Sequence, residues 1–294
     1  MPTLPLQPPT GDDADLVRRS QQGDRQALDT LIKRHQPFIY NVAWKMTHSP
    51  DDAMDLTQET LLKVITKLSQ YSGKSSFTTW LYRIVVNEFL QAKRRAREAS
   101  RTSFDDFAHL LDTIPNAEIS REEEIAQAEL TEELRLSCMS GMLLCLNREQ
   151  RLIYILGDTF GVDHKLGAEL FGISPANFRV KLHRARKELY SFMQRKCGLV
   201  NRDNPCRCPK KTKSLIARGL VTKEGKEFNV GHRRRIADYV QSHHGDFKDI
   251  IDEKYHELYQ AHPYRSEFGT DTIIAELLDD SRLMRHIQVD KWRP

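Results

Sequence analysis

The sequence predicts an all-α fold: two small helical domains joined by a linker, with a mostly helical extension at the C-terminal end. Three observations carry this expectation. Apolar residues recur every three or four positions over 12–98 and again over 130–196, the period of helices with one buried face. The stretch 99–129 between them is acidic, holds Pro115 and has no long periodic run, so it reads as a linker with room for short helices. Beyond 196 comes a Cys-containing junction, and residues 197–294 include helical stretches such as "RRRIADYVQSHH" and "DTIIAELLDDSRLM".

Composition narrows the class further. A chain of 294 residues is long enough for roughly two domains, each with its own core. Charged residues at 29% and hydrophobic ones at 39% suit soluble helical domains, and no apolar run approaches the ~20 residues that span a bilayer. Membrane insertion is therefore not expected. Residues 1–11 form a Pro-rich tail, expected to be disordered, without the basic and apolar pattern of a signal peptide, which points to the cytoplasm. Five cysteines are too few for a disulfide framework.

In chain order, Leu28, Leu31, Ile32, His35, Ile39, Val42, Ala43 and Met46 mark one long amphipathic helix. "HSPDD" breaks it and starts the next, with Ser49 as N-cap, Pro50 at the first helical position and Asp51 and Asp52 in the first turn. That helix carries Leu56, Leu61, Leu62, Val64, Ile65 and Leu68. The loop "YSGKSS" leads to a third, whose stripe is Phe77, Leu81, Ile84, Val85 and Phe89 and whose last turns are basic. In the second domain "NREQ" has capping-box spacing from Asn147 to Gln150, and "DHKLGAELFG" is a short helix capped by Asp163 and stopped at Gly172.

The following segment, "GISPANFRVKLHRARKEL", begins with a strong helix start at Ser174 and Pro175. Phe178, Leu182, Ala185 and Leu189 share its inner stripe. Asn177, Arg179, Lys181, Arg184, Arg186 and Lys187 make the rest cationic. A short helix, a tight turn and a basic second helix are the layout of a helix-turn-helix, whose second helix reads base edges near its N-terminus and grips phosphates further along.

In the first domain Asp52, Asp55 and Glu59 are spaced three and four apart, an acidic stripe with Gln58 beside it. Without a His or Cys ligand or a nucleophile motif nearby, these acids do not read as a catalytic centre, and the chain is not expected to be an enzyme. Trp80 and Tyr82, near Phe77, are followed by Lys93, Arg94 and Arg95. Rings that stack on unpaired bases, with cations for the backbone, are what single-stranded DNA requires.

"DLTQETLLKVITKL" with "SSFTTWLYRIVVNEFLQAKRR" resembles region 2 of bacterial sigma-70 family factors of the extracytoplasmic-function group. "LNREQRLIYILGDTFGVDHKLGAELFGISPANFRVKLHRARKEL" resembles their region 4. The resemblance assigns 12–98 to region 2 and 130–196 to region 4. It implies that Asp52, Asp55, Gln58 and Glu59 dock core RNA polymerase through its β′ subunit, with the β subunit a further partner of the factor. It implies that Lys74, Ser76, Trp80, Tyr82, Asn87, Lys93, Arg94 and Arg95 engage the melted −10 element of promoter DNA. Ser174, Pro175, Asn177, Arg179, Lys181, Arg184 and Arg186 then engage the −35 element, and an anti-sigma factor is a further candidate partner. The competing reading is a stand-alone helix-turn-helix regulator that binds DNA without polymerase. No cofactor is implied.

A minimal factor of this kind would end near Met193. Beyond it, "CGLVNRDNPCRCPKK" places Cys197, Cys206 and Cys208 close together in sequence, candidates for zinc with a fourth ligand such as His183, His232, His243 or His244, or for a redox switch. Cys138 and Cys145, seven apart in a helical stretch, read as core residues.

Overall fold

A computed structural model describes residues 13–91 and 103–221, and every regular element among them is helical. The described residues fall into two compact units, one within Met1–Arg95 and Gly161–Pro175, the other within Ala96–Phe160 and Ala176–Pro263.

The first unit holds α1 (Asp13–Gln21), α2 (Arg25–Thr47), α3 (Pro50–Lys67), α4 (Phe77–Gln91) and α9 (His164–Phe171). The start signal of α3 acts as the sequence predicts, and α2 has one that the sequence reading did not name. Asp24 caps α2 by accepting from the Ala27 N–H (3.0 Å), and Ser49 caps α3, with Pro50 in its first turn. The chain turns between α2 and α3 through His48, which adopts φ 52° and closes α2 with a bond to the Trp44 carbonyl. Leu31, Ile39, Val42 and Met46 of α2 are fully enclosed, as are Leu61 of α3 and Leu81, Val85 and Phe89 of α4. Burying each large apolar side chain is worth about 1.5–3 kcal/mol, which is why these three helices hold together.

His35, counted in the apolar stripe, is buried for a different reason. Its Nε2 meets Asp13 Oδ2 at 2.8 Å, Arg34 takes the other oxygen at 2.7 Å, and its ring lies edge-on to Phe77, 5.2 Å between centroids. This buried carboxylate ties the start of α1 onto α2. The end of α1 is tied by Gln21, whose amide donates to the Leu68 and Tyr71 carbonyls, both at 2.9 Å.

The second unit holds α5 (Phe104–Thr113), α6 (Arg121–Ala126), α7 (Ala128–Cys145), α8 (Arg148–Tyr154), α10 (Pro175–Lys196) and α11 (Cys208–Ala217). The linker expected at 99–129 thus contains two short helices, each opened by a capping box, at Ser103/Asp106 and Ser120/Glu123. Asn147 caps α8, and Arg151 is enclosed beneath it, donating to the carbonyls of Leu143, Leu144 and Leu146 at 3.0–3.2 Å. A buried guanidinium therefore satisfies the orphan acceptors at the end of α7. A π-turn over Ile155–Thr159 continues α8.

The junction and α11 fold back on the linker. Lys211 Nζ donates to the Leu111 and Ile114 carbonyls at 2.7 and 2.6 Å, Gln127 to Pro209, Ser214 to Pro115 and Asn116 to Pro205, while Lys213 pairs with Glu123 and Lys196 with Asp112. Residues 222–294, including the predicted helical stretches there, lie outside the described residues.

Candidate nucleic-acid interface

The inner side of α3 is fixed by Leu56, Leu61, Val64 and Ile65, all buried. Its opposite side must then face outward, and Asp55 and Glu59 are exposed there, with Asp52 and Gln58 half-buried beside them. The four residues of the acidic stripe therefore share one face of one rigid helix.

On α4, Ser76 is exposed and acts as the cap, its Oγ accepting from the Thr79 N–H at 3.1 Å. Lys74 stands exposed in the loop before it, next to Gly73 at φ +73°. Tyr71 holds that loop by donating its hydroxyl to the Ser75 carbonyl (2.6 Å). Trp80 is half-buried in a ring cluster, its centroid 5.4 Å from Tyr71 and 5.5 Å from Phe77, and Phe77 itself is core. Asn87 is exposed two turns further along, about 10 Å at 1.5 Å per residue.

Tyr82 departs from the expectation. It is 3% exposed and stacked on Phe38 with centroids 4.4 Å apart, so it builds the core and presents no ring to DNA. Lys93, Arg94 and Arg95 lie outside the described residues. Sequence reasoning passed over Arg83, which sits one turn from both Trp80 and Asn87 and pairs with Glu169 of α9. The signal was available as an (i, i+3) and (i, i+4) relation on one helix face.

α9 begins at an Asp163 cap that accepts from the Lys165 and Leu166 N–H groups and ends at Gly172, whose φ of +64° suits a residue without a side chain. α10 follows, with Ser174 and Pro175 exposed at its start. Phe178, Ala185, Leu189, Tyr190, Phe192 and Met193 are buried, while Asn177, Arg179, Arg184 and Lys187 are exposed, as is Val180 at 46%.

Two of the cations expected to engage the −35 element have partners within the protein. Lys181 pairs with Glu149 at 3.1 Å. Arg186 donates through Nε to both oxygens of Asp158, a carboxylate enclosed in the π-turn, and that hydrogen-bonded partner raises the guanidinium's pKa further. Arg186 is thus a buttress of α10 rather than a cation open to phosphate. Its role was hidden because Asp158 lies 28 residues away in sequence.

Of the two cysteines expected in the core, Cys145 meets the expectation and Cys138 does not. Cys145 is core, donating weakly to the Gly141 carbonyl. Cys138, on α7, instead lies close enough to Cys197, Cys206 and Cys208 to interact with them electrostatically, and burial pushes its thiol well above the usual range. Burial likewise pushes Cys197 up to about 12 and Cys206 to about 11. His183 is exposed on α10, fourteen residues or about 21 Å before Cys197, and His232, His243 and His244 lie outside the described residues.

An acidic helix face in one helical unit, and a buttressed basic helix after a short capped one, define a two-part, all-helical protein among the described residues. Residues 31–99 match the family model of sigma-70 region 2, and residues 136–189 match that of sigma-70 region 4. These two segments belong to regions 2 and 4 of the sigma-70 family, in the family's order. Similar proteins include the ECF RNA polymerase sigma factor SigE of Mycolicibacterium smegmatis, 29% identical over 58% of this chain and 64% of that one. The RNA polymerase sigma-H factor of Pseudomonas aeruginosa is 39% identical over 26% of this chain and 39% of its own length. The ECF RNA polymerase sigma-E factor of Escherichia coli is 28% identical over 62% of this chain and 94% of its own. The chain spans less than two thirds of the length of the first two. Among the described residues, no helix is long and apolar enough to cross a membrane.

Proposed function

We propose that this protein is a sigma factor, which binds core RNA polymerase and directs it to promoters. The observation that carries the reading is the combination, in one chain and in family order, of an outward acidic face on α3 and an outward basic face on α10. Asp52, Asp55, Gln58 and Glu59 dock the polymerase, on its β′ subunit. α10 lies in the major groove at the −35 element. There Asn177 and Arg179 meet base edges, Val180 offers an apolar contact suited to a thymine methyl group, and Arg184 reaches phosphate.

At −10, Trp80 supplies a half-exposed ring for an unpaired base and Asn87 a hydrogen-bonding amide on the same face, with Lys74 and Ser76 at the adjoining loop and Lys93, Arg94 and Arg95 beyond. Melting is then a matter of differential binding: stacking and charge contacts that only the opened strand can make stabilise it over the duplex. The polymerase makes the RNA, and an anti-sigma factor that covers either face would silence the protein.

The test is transcription in vitro with purified core polymerase on the DNA upstream of candidate genes. Specific initiation is expected with the wild-type protein. With Asp55→Arg and Glu59→Arg combined, polymerase association is expected to be lost while binding to a −35 duplex persists. Retention of polymerase association would overturn the assignment of α3.

A further inference from the structure

In the second unit, the chain around α6, the side of α7, the junction after α10 and the first turn of α11 wall a cleft of about 370 Å³. Small-molecule sites occupy roughly 300–1,000 Å³, so the space is of ligand size. Its walls are tied to one another. Asn116 donates to the Pro205 carbonyl at 2.8 Å, Gln127 to that of Pro209 at 2.7 Å, and the Ala117 N–H to that of Lys210 at 3.3 Å. A Cβ on Gly198 would stand 2.0 Å from the Cys206 carbonyl oxygen and 2.5 Å from Arg207 Nη1, so the guanidinium can lie there only beside glycine. Among the described residues no group of three or more His, Cys, Asp or Glu could hold a metal ion. Cys197, Cys206 and Cys208 therefore do not make the zinc site that their spacing suggested, and Cys206 and Cys208 are wall of this cleft instead.

The cleft is positively charged. Arg135, Arg202, Arg207 and Lys210 line it against one carboxylate, the exposed Glu124. The ion pairs nearby leave that charge in place: Arg135 pairs with Glu132 and Lys213 with Glu123, while Arg207 and Lys210 meet no carboxylate among the described residues. Arg207 is held by neutral carbonyls, its Nη2 donating to Arg202 at 2.6 Å and its Nη1 to Asn204 and Cys206, which fix the guanidinium without compensating its charge. Arg135 Nε is enclosed without a hydrogen-bond partner, so one donor of that group is still unused. The ten-residue α11 adds its N-terminus, which no side chain caps and which holds Pro209 in its first turn. The positive end of its dipole opens on the same walls.

We propose that this cleft binds a small phosphorylated metabolite. The phosphate sits among Arg135, Arg207, Lys210 and the start of α11, and the carbon skeleton rests on Ile119, Leu199 and Pro209. A phosphate group carries about −1.5 to −2 charges on three acceptor oxygens, so it can answer several cations at once where a carboxylate cannot. Glu124, on the same wall, accepts from a hydroxyl group of the ligand. Because the walls come from the linker, α7 and the chain beyond α10, the bound molecule ties these three pieces together.

The experiment titrates the full-length protein with inorganic phosphate and with ribose 5-phosphate by calorimetry, at an ionic strength held constant with chloride. Ribose and succinate are the controls. Saturable binding of one ribose 5-phosphate per chain is expected, with a Kd of about 1 mM or below and a thermal midpoint that rises with its concentration. Succinate should bind about tenfold more weakly and ribose not at all. The Lys210 side chain is half-buried and has no hydrogen-bond partner among the described residues, so Lys210→Glu keeps the fold and should weaken binding by about tenfold or more. Arg179→Ala with Arg184→Ala should leave the affinity unchanged. No saturable binding of either phosphate by the wild-type protein would overturn the proposal without recourse to any variant. So would loss of binding in the double variant, which would put the phosphate on α10. Equal affinity for succinate, or unchanged affinity in Lys210→Glu, would overturn it as well.

Discussion

The Arg186 Nε–H lies 2.8 and 2.9 Å from the two carboxylate oxygens of Asp158, and Asp158 is wholly enclosed. A buried carboxylate is tolerated because this guanidinium reaches it, and the pair locks the middle of α10 to the π-turn after α8. Removing one partner of a buried pair costs several kcal/mol, and the partial solvation of Arg186 lowers that toward about 2 kcal/mol. Asp158→Ala and Arg186→Ala should each show this loss in denaturant unfolding, whereas Arg184→Ala should leave stability unchanged. Equal stability of Arg184→Ala and Arg186→Ala would deny the buttress.

The open cations of α10 should behave in the opposite way. Arg179→Ala and Arg184→Ala are expected to weaken binding to a −35 duplex while keeping the unfolding midpoint. For a residue that contacts phosphate, the slope of log K against log salt should fall by about 1. If the slope is unchanged and only discrimination between sequences falls, the residue reads bases instead.

Asp13 carries an acid dependence. Burial alone would raise its pKa, but the hydrogen bond and charge of His35, followed by those of Arg34, outweigh this and hold it below the usual carboxylate range. A carboxylate depressed in the folded state contributes stability that is present above the unfolded value of about 3.9 and is lost as pH falls through the folded value. Asp13→Asn should therefore flatten the acid limb of the stability curve and cost about 1–3 kcal/mol at neutral pH. An acid limb as steep as that of the wild type would place the titration elsewhere.

Lys45 predicts a drift at the other end. It is enclosed on α2 with its ammonium 5.5 Å from the centre of the Trp44 ring, and burial lowers its pKa to about 7. Between that value and about 10.4, the unfolded chain holds a proton that the folded chain does not, so stability should rise with pH across this window. Lys45→Met should be more stable at pH 7 and lack the rise, as thermal melts at pH 7, 8.5 and 10 can show. A decrease in stability at every pH would mean that the ammonium is held charged.

Local rules made much of the architecture legible in the sequence. Ser49, Asn147 and Asp163 cap the helices they were expected to cap, because an N-cap needs only a side-chain oxygen and the next turn of backbone. The acidic face of α3 followed from periodicity alone. The residues that misled are those settled by partners far along the chain. Tyr82 shares its aromatic character with a DNA-stacking ring, and only Phe38, 44 residues earlier, makes it core. Arg186 looks like any other cation on α10 until Asp158 is placed beside it. Cys138 fits a core position in α7 by spacing, and its company with Cys206 and Cys208 arises from a turn that no periodicity announces.

The back-folding of α11 bears on how this protein is divided for experiment. The match to the region 4 model ends at residue 189, yet the carbonyls of Leu111, Ile114 and Pro115 take their hydrogen bonds from Lys211 and Ser214. A chain cut after residue 196 would strip those acceptors of their donors. The end of that match is thus an interior point of a folding unit.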